Sequence, residues 1–424
     1  MFDSSRWSSV VDLRSAGAAN SPIQLVFSFN NTMKKITFAI YDMGGGHRST
    51  ANALQAVIEQ NNLPWEVEIV EILKDVFNTT FSQDFYNRWI LKQKWAKLIN
   101  DPISVPIFKA RIKRMHRHWR SQLRDYWQKT KPDMVVSLMP LFNKVLCESL
   151  EQALPGTPFV TSVTDFADCP KHFWIEQQNQ RLICPSNTVY QQAKAAGYPT
   201  QNLFQTSGVV IHPRYSQPLH TDVVHQRQQL DLHPDLPTGL VCFGSHGSRE
   251  MLEIAQHLNS TNQALQLIFI CGRNEQLAQE LRQLSTRYGK HIEGFTRDLP
   301  TFLKTADFFI GKPGSVGVSE AIARGLPVIT ECNPVMTLFQ ERATADWLRQ
   351  NGFGTVVESF SQINQAVEAL LQPTKFSQVQ RQVNRYRNRA AFEVIEILDS
   401  ILSNKNNNHT LSIDSEAVPQ AMTD

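Results

Sequence analysis

The sequence predicts an α/β architecture built from two doubly wound domains. Three observations carry this expectation. Short apolar runs alternate with amphipathic helical stretches along most of the 424 residues. The alternation occurs twice, on either side of a polar, Pro- and His-rich segment near 212–238. Each half holds a glycine-rich turn that joins an apolar run to a helical pattern. Strands so short and uniformly apolar suit parallel sheets covered on both faces, and alternating β and α elements imply crossover connections.

Composition narrows the class. Hydrophobic residues are 42% and charged residues 19%, which excludes chain-wide disorder and rod-like repeats. Lys plus Arg minus Asp plus Glu is 42 − 39 = +3, too small to imply nucleic acid. No run of 18 apolar residues is present, so no transmembrane helix is expected. The six cysteines are scattered, with no CxxC pair or Cys/His cluster. Neither a disulfide framework nor a metal site is expected, and a reducing cytoplasm is.

Taken in order, residues 1–33 are Ser- and Asn-rich and lack a basic, apolar signal pattern. They are expected to be a disordered leader, or to lie upstream of a true start at Met33. Residues 34–215 are expected to form the first domain. Its strands are predicted at Ile36–Tyr41, Val67–Ile72, Met134–Leu138, Phe159–Thr164 and Leu182–Cys184. After the first strand, Ala51, Leu54 and Ile58 fall on one helical face, with Val57 beside them. Residues 216–238 read as a linker and 239–403 as the second domain. Its strands are predicted at Leu240–Phe243, Leu267–Ile270, Asp307–Ile310, Pro327–Thr330 and Gly354–Val357. Residues 404–424 are polar and unpatterned, and are expected to be a disordered tail.

The stretch 85–131 interrupts the first domain. It carries 13 Lys/Arg against two Asp, a local excess of +11, with Trp89, Trp95, Trp119 and Trp127. Basic residues mixed with Trp, Ile and Leu at helical spacing suit a helix pair lying on an anionic membrane. A docked helix pair with a solvated basic face is the plainer alternative. Nucleic acid comes third and is not expected.

Two turns carry the chemistry. The first is Asp42-Met43-Gly44-Gly45-Gly46-His47, between strand and helix. Gly44, Gly45 and Gly46 allow a tight turn, and the helix N-terminus behind them offers N–H groups to an oxygen-rich ligand. Gly44-x-Gly46-x-x-Ser49 misses the dinucleotide fingerprint at its third position. His47 can accept a proton from a substrate hydroxyl or bond a backbone group. The second turn is Gly311-Lys312-Pro313-Gly314-Ser315, leading into a helix with Ser319 and Glu320. A phosphate-binding P-loop is excluded because positions 306 and 313 hold Ala and Pro. A diphosphate fits such a turn, and Glu320 can hold ribose hydroxyls or merely complement the helix dipole. A further N–H-rich turn, Phe243-Gly244-Ser245-His246-Gly247-Ser248, suits the same ligand class, a nucleotide sugar.

With these residues in place the chain resembles the GT-B glycosyltransferases, which include monogalactosyldiacylglycerol synthase, bacterial diacylglycerol glucosyltransferases and, more distantly, the peptidoglycan lipid N-acetylglucosaminyltransferase. The pieces lie in family order over about 34–360. They are GGGHRSTA (44–51), Thr164-Asp165…Cys169 followed by Cys184-Pro185-Ser186, Cys271-Gly272-Arg273-Asn274, Glu293-Gly294-Phe295-Thr296, Gly311-Lys312-Pro313-Gly314…Ser319-Glu320-Ala321, and Gln340-Glu341. The resemblance implies two Rossmann-like domains facing across a cleft and an inverting transfer of hexose from a UDP-sugar to a lipid. It implies no cofactor and no obligatory metal, and an enzyme that is cytoplasmic and peripheral to the membrane. His47 and Asp165 match the family's candidate bases. Gly44, Gly45, Gly46, Phe173 and Trp174 fall on the acceptor side. Gly244, Ser245, Gly272, Phe295, Lys312, Gly314, Ser315, Ser319, Glu320, Gln340 and Glu341 fall on the UDP-sugar side. The segment ADCPKHFW (167–174) replaces the plant His-Pro-Thr-Trp pattern. Galactose or glucose onto diacylglycerol is the leading expectation. N-acetylglucosamine, another acceptor, or a silent nucleotide-sugar-binding protein are the alternatives.

Overall fold

The computed structural model describes residues 33–41, 45–78, 105–261, 263–333 and 337–414, with side chains through Ser403. The leader before Met33, Gly44 and the half of the basic stretch that holds Trp89 and Trp95 lie outside the described residues.

The first sheet is six parallel strands: β1 (Lys34–Ile40), β2 (Trp65–Glu71), β3 (Met134–Ser137), β4 (Phe159–Ser162), β5 (Arg181–Cys184) and β6 (Leu203–Gln205). Their order is β2-β1-β3-β4-β5-β6. Helix α1 (Gly46–Gln60) covers one face, burying Ala51, Leu54, Val57 and Ile58 as its periodicity requires. The other face is covered by α2 (Val105–Thr130), α3 (Asn143–Ala153) and α4 (Asn187–Ala195). The segment 213–236 includes α5 (Val223–Gln229).

The second sheet repeats the plan. It holds β7 (Thr238–Cys242), β8 (Gln266–Ile270), β9 (Gly289–Glu293), β10 (Phe308–Gly311), β11 (Val328–Glu331) and β12 (Gly354–Val357). Their order is β12-β11-β10-β7-β8-β9. Around it, in chain order, lie α6 (Glu250–Leu258), α7 (Glu275–Gln283), α8 (Leu299–Thr305), α9 (Ser315–Ala323), α10 (Phe339–Asn351), α11 (Ile363–Leu370) and α12 (Pro373–Arg385). A last helix, α13, runs Ala390–Asp414.

Three expectations change. The segment read as a linker is packed onto the second domain. Leu230 and Leu232 join its core, as does Tyr215 from the end of the expected first domain, and buried Arg227 bonds Asp307 Oδ2 at 2.8 Å and the Thr305 carbonyl. Its polar look hides one satisfied buried cation. The second domain does not run to 403 as a unit, because α13 crosses back. Its Ala391, Val394, Ile395 and Leu398 share a core with Leu54 and Ile58 of α1. The helix continues to Asp414, so the first part of the expected tail is helical. Finally, the 105–131 half of the basic stretch is a layer of the fold rather than an insertion. Trp119 stacks on Phe77 with ring centres 4.7 Å apart. Trp127 is wholly buried and donates to Ser149 Oγ at 2.9 Å. Both tryptophans therefore serve the core. Arg111, Lys113, Arg114 and Arg117 stay exposed on the opposite face of α2.

Candidate active site

Strand order locates the site. In open parallel sheets ligands bind beyond the carboxyl ends of the strands, where the winding direction reverses. The first sheet reverses between β1 and β3, and the glycine-rich turn leaves β1 there. The second reverses between β7 and β10, and these strands lead into the 243–248 turn and the Lys312-Pro313-Gly314 turn.

The two reversal points face each other. Gly45 adopts φ +83°, a backbone that L side chains rarely adopt, and a Cβ there would lie 3.8 Å from Ser245 Oγ. A Cβ on Gly46 would lie 3.9 Å from Val316 Cγ2, in the first turn of α9. Ser315, the first residue of α9, donates its hydroxyl to the Thr164 carbonyl at 2.7 Å. Phe166 stacks on Trp347 of α10 with ring centres 4.1 Å apart. The glycine turn and the Thr164-Asp165 segment thus lie against the N-terminus of α9.

Asp165 is the charged group at this junction. Its Oδ2 accepts the Trp174 indole N–H at 2.9 Å, and Oδ1 lies 3.5 Å from the Ser315 hydroxyl. Removal from water pushes its pKa up to about 6. The Trp174 bond pulls it down, Glu341 pushes it up, and Ser315 and Lys312 pull it down. His47, in the first turn of α1, packs edge-on to Tyr41 at 4.8 Å and 6.1 Å from the Trp174 ring. Trp174 therefore touches Asp165 and His47 alike. Trp174 is 0% exposed and Phe173 is buried, so neither presents an open acceptor surface. Burial turns the predicted acceptor contact of Trp174 into a hydrogen bond to Asp165.

On the facing domain, Lys312 Nζ pairs with Glu341 Oε1 at 2.9 Å. Glu341 and Gln340 lie in the first turn of α10. Gly314 caps α9, whose first turn lies against the Thr164-Asp165 segment of the other domain. Gly272 is confined, since a Cβ there would collide with the Ser245 carbonyl, and Arg273 N–H donates to that carbonyl at 2.8 Å. Phe295 is 51% exposed, with the Arg273 guanidinium 4.8 Å over its ring. Glu320 is buried beside Tyr215, and burial pushes its pKa up to about 8 against the pull of Arg214 and the Tyr215 hydrogen bond. Ser319 is wholly buried and its hydroxyl has no partner. Gly244 takes φ +80° in the Ser245 turn. Sequence reasoning gave Asp168 no role, yet its buried carboxylate organises the whole 168–175 turn. Among the described residues no cluster of three or more metal-ligating side chains occurs, and no helix is long and apolar enough to cross a membrane.

Two doubly wound domains with facing glycine turns define the GT-B glycosyltransferase fold. Solved structures agree on the fold. MurG of Acinetobacter baumannii superposes with TM-score 0.58 at 14% identity, over 87% of this chain and 99% of that one. WaaG, a glycosyltransferase involved in lipopolysaccharide biosynthesis, gives 0.52 at 16% identity, over 87% and 99%. Within that class the chain is similar to the monogalactosyldiacylglycerol synthases, the family its motifs resemble. The model of the monogalactosyldiacylglycerol (MGDG) synthase family matches residues 47–211. Monogalactosyldiacylglycerol synthase 1, chloroplastic, of Arabidopsis thaliana is 24% identical over 396 residues, which are 89% of this chain and 73% of the relative. The chloroplastic synthase of Spinacia oleracea is 25% identical, over 88% and 73%.

Proposed function

We propose that the protein transfers a hexose, galactose or glucose, from a UDP-sugar to diacylglycerol or a related lipid at a membrane surface, with inversion at the anomeric carbon. The observation that carries the reading is the junction of Asp165 with the N-terminus of α9, tied by the Ser315–Thr164 hydrogen bond. A carboxyl poised near neutrality there lies beside the N–H groups that suit a diphosphate. The names of the relatives supply galactose and diacylglycerol.

In this reading UDP lies along the second domain. Phe295 meets the uracil, Glu320 the ribose, and the turns at Gly244-Ser245, Gly272 and Gly314-Ser315 the diphosphate. Lys312, Gln340 and Glu341 surround the sugar. The acceptor hydroxyl sits by Gly45-Gly46 and His47. Asp165 takes its proton as the oxygen bonds the anomeric carbon and the carbon–phosphate-oxygen bond breaks. The departing negative charge is met by N–H groups and the α9 dipole rather than by an obligatory metal. The exposed basic face of α2 gives the protein a hold on anionic lipid.

The test is UDP release by purified protein from UDP-galactose, UDP-glucose or UDP-N-acetylglucosamine, separately, with diacylglycerol in anionic vesicles. The expected result is lipid-dependent release with galactose or glucose, unchanged by a chelator. Asp165→Asn should lower kcat by 100-fold or more, in the range general bases contribute, about 10²–10⁴. Release with N-acetylglucosamine alone would redirect the donor. UDP binding with no release in any tube would leave a nucleotide-sugar-binding protein.

A further inference from the structure

Asp168 is a buried carboxylate three residues beyond Asp165. It accepts four backbone N–H groups. Oδ2 takes His172 at 2.8 Å, while Oδ1 takes Phe173 at 2.9 Å, Trp174 at 2.6 Å and Ile175 at 3.3 Å. Its own N–H donates to Gln192 Oε1 at 2.8 Å, which fixes it to α4. The turn is further tied by Asn143 Nδ2 to the Trp174 carbonyl at 3.1 Å and by Leu141 N–H to the Phe173 carbonyl at 2.7 Å. Within it His172 stands at φ +62°, a conformation that the carboxylate's bonds help to hold. The product of this turn is one directed contact, the Trp174 indole on Asp165.

We propose that Asp168 is a positioning residue for the transfer reaction, shaping the 168–175 turn so that the Trp174 indole N–H meets the Asp165 carboxylate and favours its ionised form. The proposal rests on the reading of Asp165 as the proton acceptor. A carboxylate that bonds only backbone N–H groups recruits no substrate. It sets where the next residues point, as the partners of a catalytic group do. Asp165 is faced by Trp174 from its own domain and by Ser315, Lys312 and Glu341 from the other. Of these, the Trp174 bond is the one that the Asp168 turn controls. Loss of the indole donor removes a hydrogen bond to the charged form and raises the Asp165 pKa.

The test reads the Asp165 carboxyl directly, in the full chain without substrate. Infrared spectra are recorded across pH, and the band absent in Asp165→Asn gives the midpoint. The wild type should titrate near pH 6. Trp174→Phe should move the midpoint up by about one pH unit. Asp168→Asn keeps one acceptor oxygen but sets an amide NH2 against the turn. It should move the midpoint in the same direction by less, and the double variant should move it no further than Trp174→Phe alone. In the release assay the acidic limb of kcat should follow these midpoints. A merely structural Asp168 would lower activity equally at every pH with the midpoint in place, and that result overturns the proposal. So does a midpoint unmoved by Trp174→Phe. If Asp168→Asn does not fold, Gln192→Ala loosens the same turn and is read with the same expectations. Failure of the transferase reading would show as no UDP release from the wild type, while the infrared titration would still decide the Asp168–Trp174–Asp165 relay.

Discussion

Glu320 lies in the second turn of α9 with 7% of its surface exposed, and its carboxyl is pushed up to about 8 from an ordinary 4.5. An acid whose folded pKa is raised contributes stability that is full below the unfolded value and lost as pH rises through the folded one. The unliganded protein should therefore lose stability between about pH 4.5 and 8 through this group. Glu320→Gln removes that loss. Its Tm should match the wild type near pH 4.5 and exceed it by a margin that grows as pH rises through about 8. UDP binding should weaken in the same variant at every pH. A Tm difference that is constant across pH would show that Glu320 is not protonated in the fold. His47, Lys312 and Glu320 could be singled out because motifs put a reactive type beside a glycine turn, and Asp165 only through the family resemblance. Asp168 could not, since a carboxylate whose partners are backbone N–H groups leaves no spacing signature. The burial of Trp174 and Ser319 was equally invisible, because a motif names a residue and not the direction of its side chain.

Helix α2 divides its sequence cleanly between two faces. Ile112, Trp119, Leu123 and Trp127 are buried, and Arg111, Lys113, Arg114 and Arg117 are exposed. Spacing of three to four residues produces both stripes at once. The basic stripe should bind anionic lipid, with each Lys or Arg near such a surface worth about 1 kcal/mol. Changing Lys113, Arg114 and Arg117 to Glu should then reduce co-sedimentation with anionic vesicles roughly 100-fold in affinity, and less at high salt. Soluble UDP binding should be unchanged. Equal sedimentation of variant and wild type would remove α2 from the membrane contact. At this scale the sequence was mostly readable. All ten predicted strands occur, displaced by no more than two residues at either end. The two that were missed, β6 and β9, lie at sheet edges, and β9 reads Gly-Lys-His-Ile-Glu with no buried residue. Edge strands need neither apolar runs nor two covered faces, so their pattern fades.

The two domains are joined by more than a linker. The chain leaves the first sheet at β6, builds the second domain, and returns through α12 and α13. Tyr386 donates its hydroxyl to the Ser207 carbonyl at 2.7 Å, and Asn388 Nδ2 donates to the Val209 carbonyl at 2.9 Å. Glu393 then accepts Ser207 N–H at 2.6 Å, and the apolar face of α13 closes over α1. The sequence reading placed 390–403 in the second domain, because an amphipathic stretch specifies a buried face and not its partner. This return makes the glycine turn depend on the far end of the chain, since α1 begins at Gly46 and α13 holds it down. Leu398 is 0% exposed in that contact, and Leu398→Ala should cost about 2–5 kcal/mol. The loss should fall on one domain. Hydrogen exchange should accelerate across 46–60 and β1, while β7, β8 and β10 keep their protection. On the proposed reading, in which the lipid acceptor meets the glycine turn, its KM should rise while UDP affinity stays constant. Exchange that quickens equally in both sheets would instead show that the domains unfold as one unit and that α13 clamps the whole molecule.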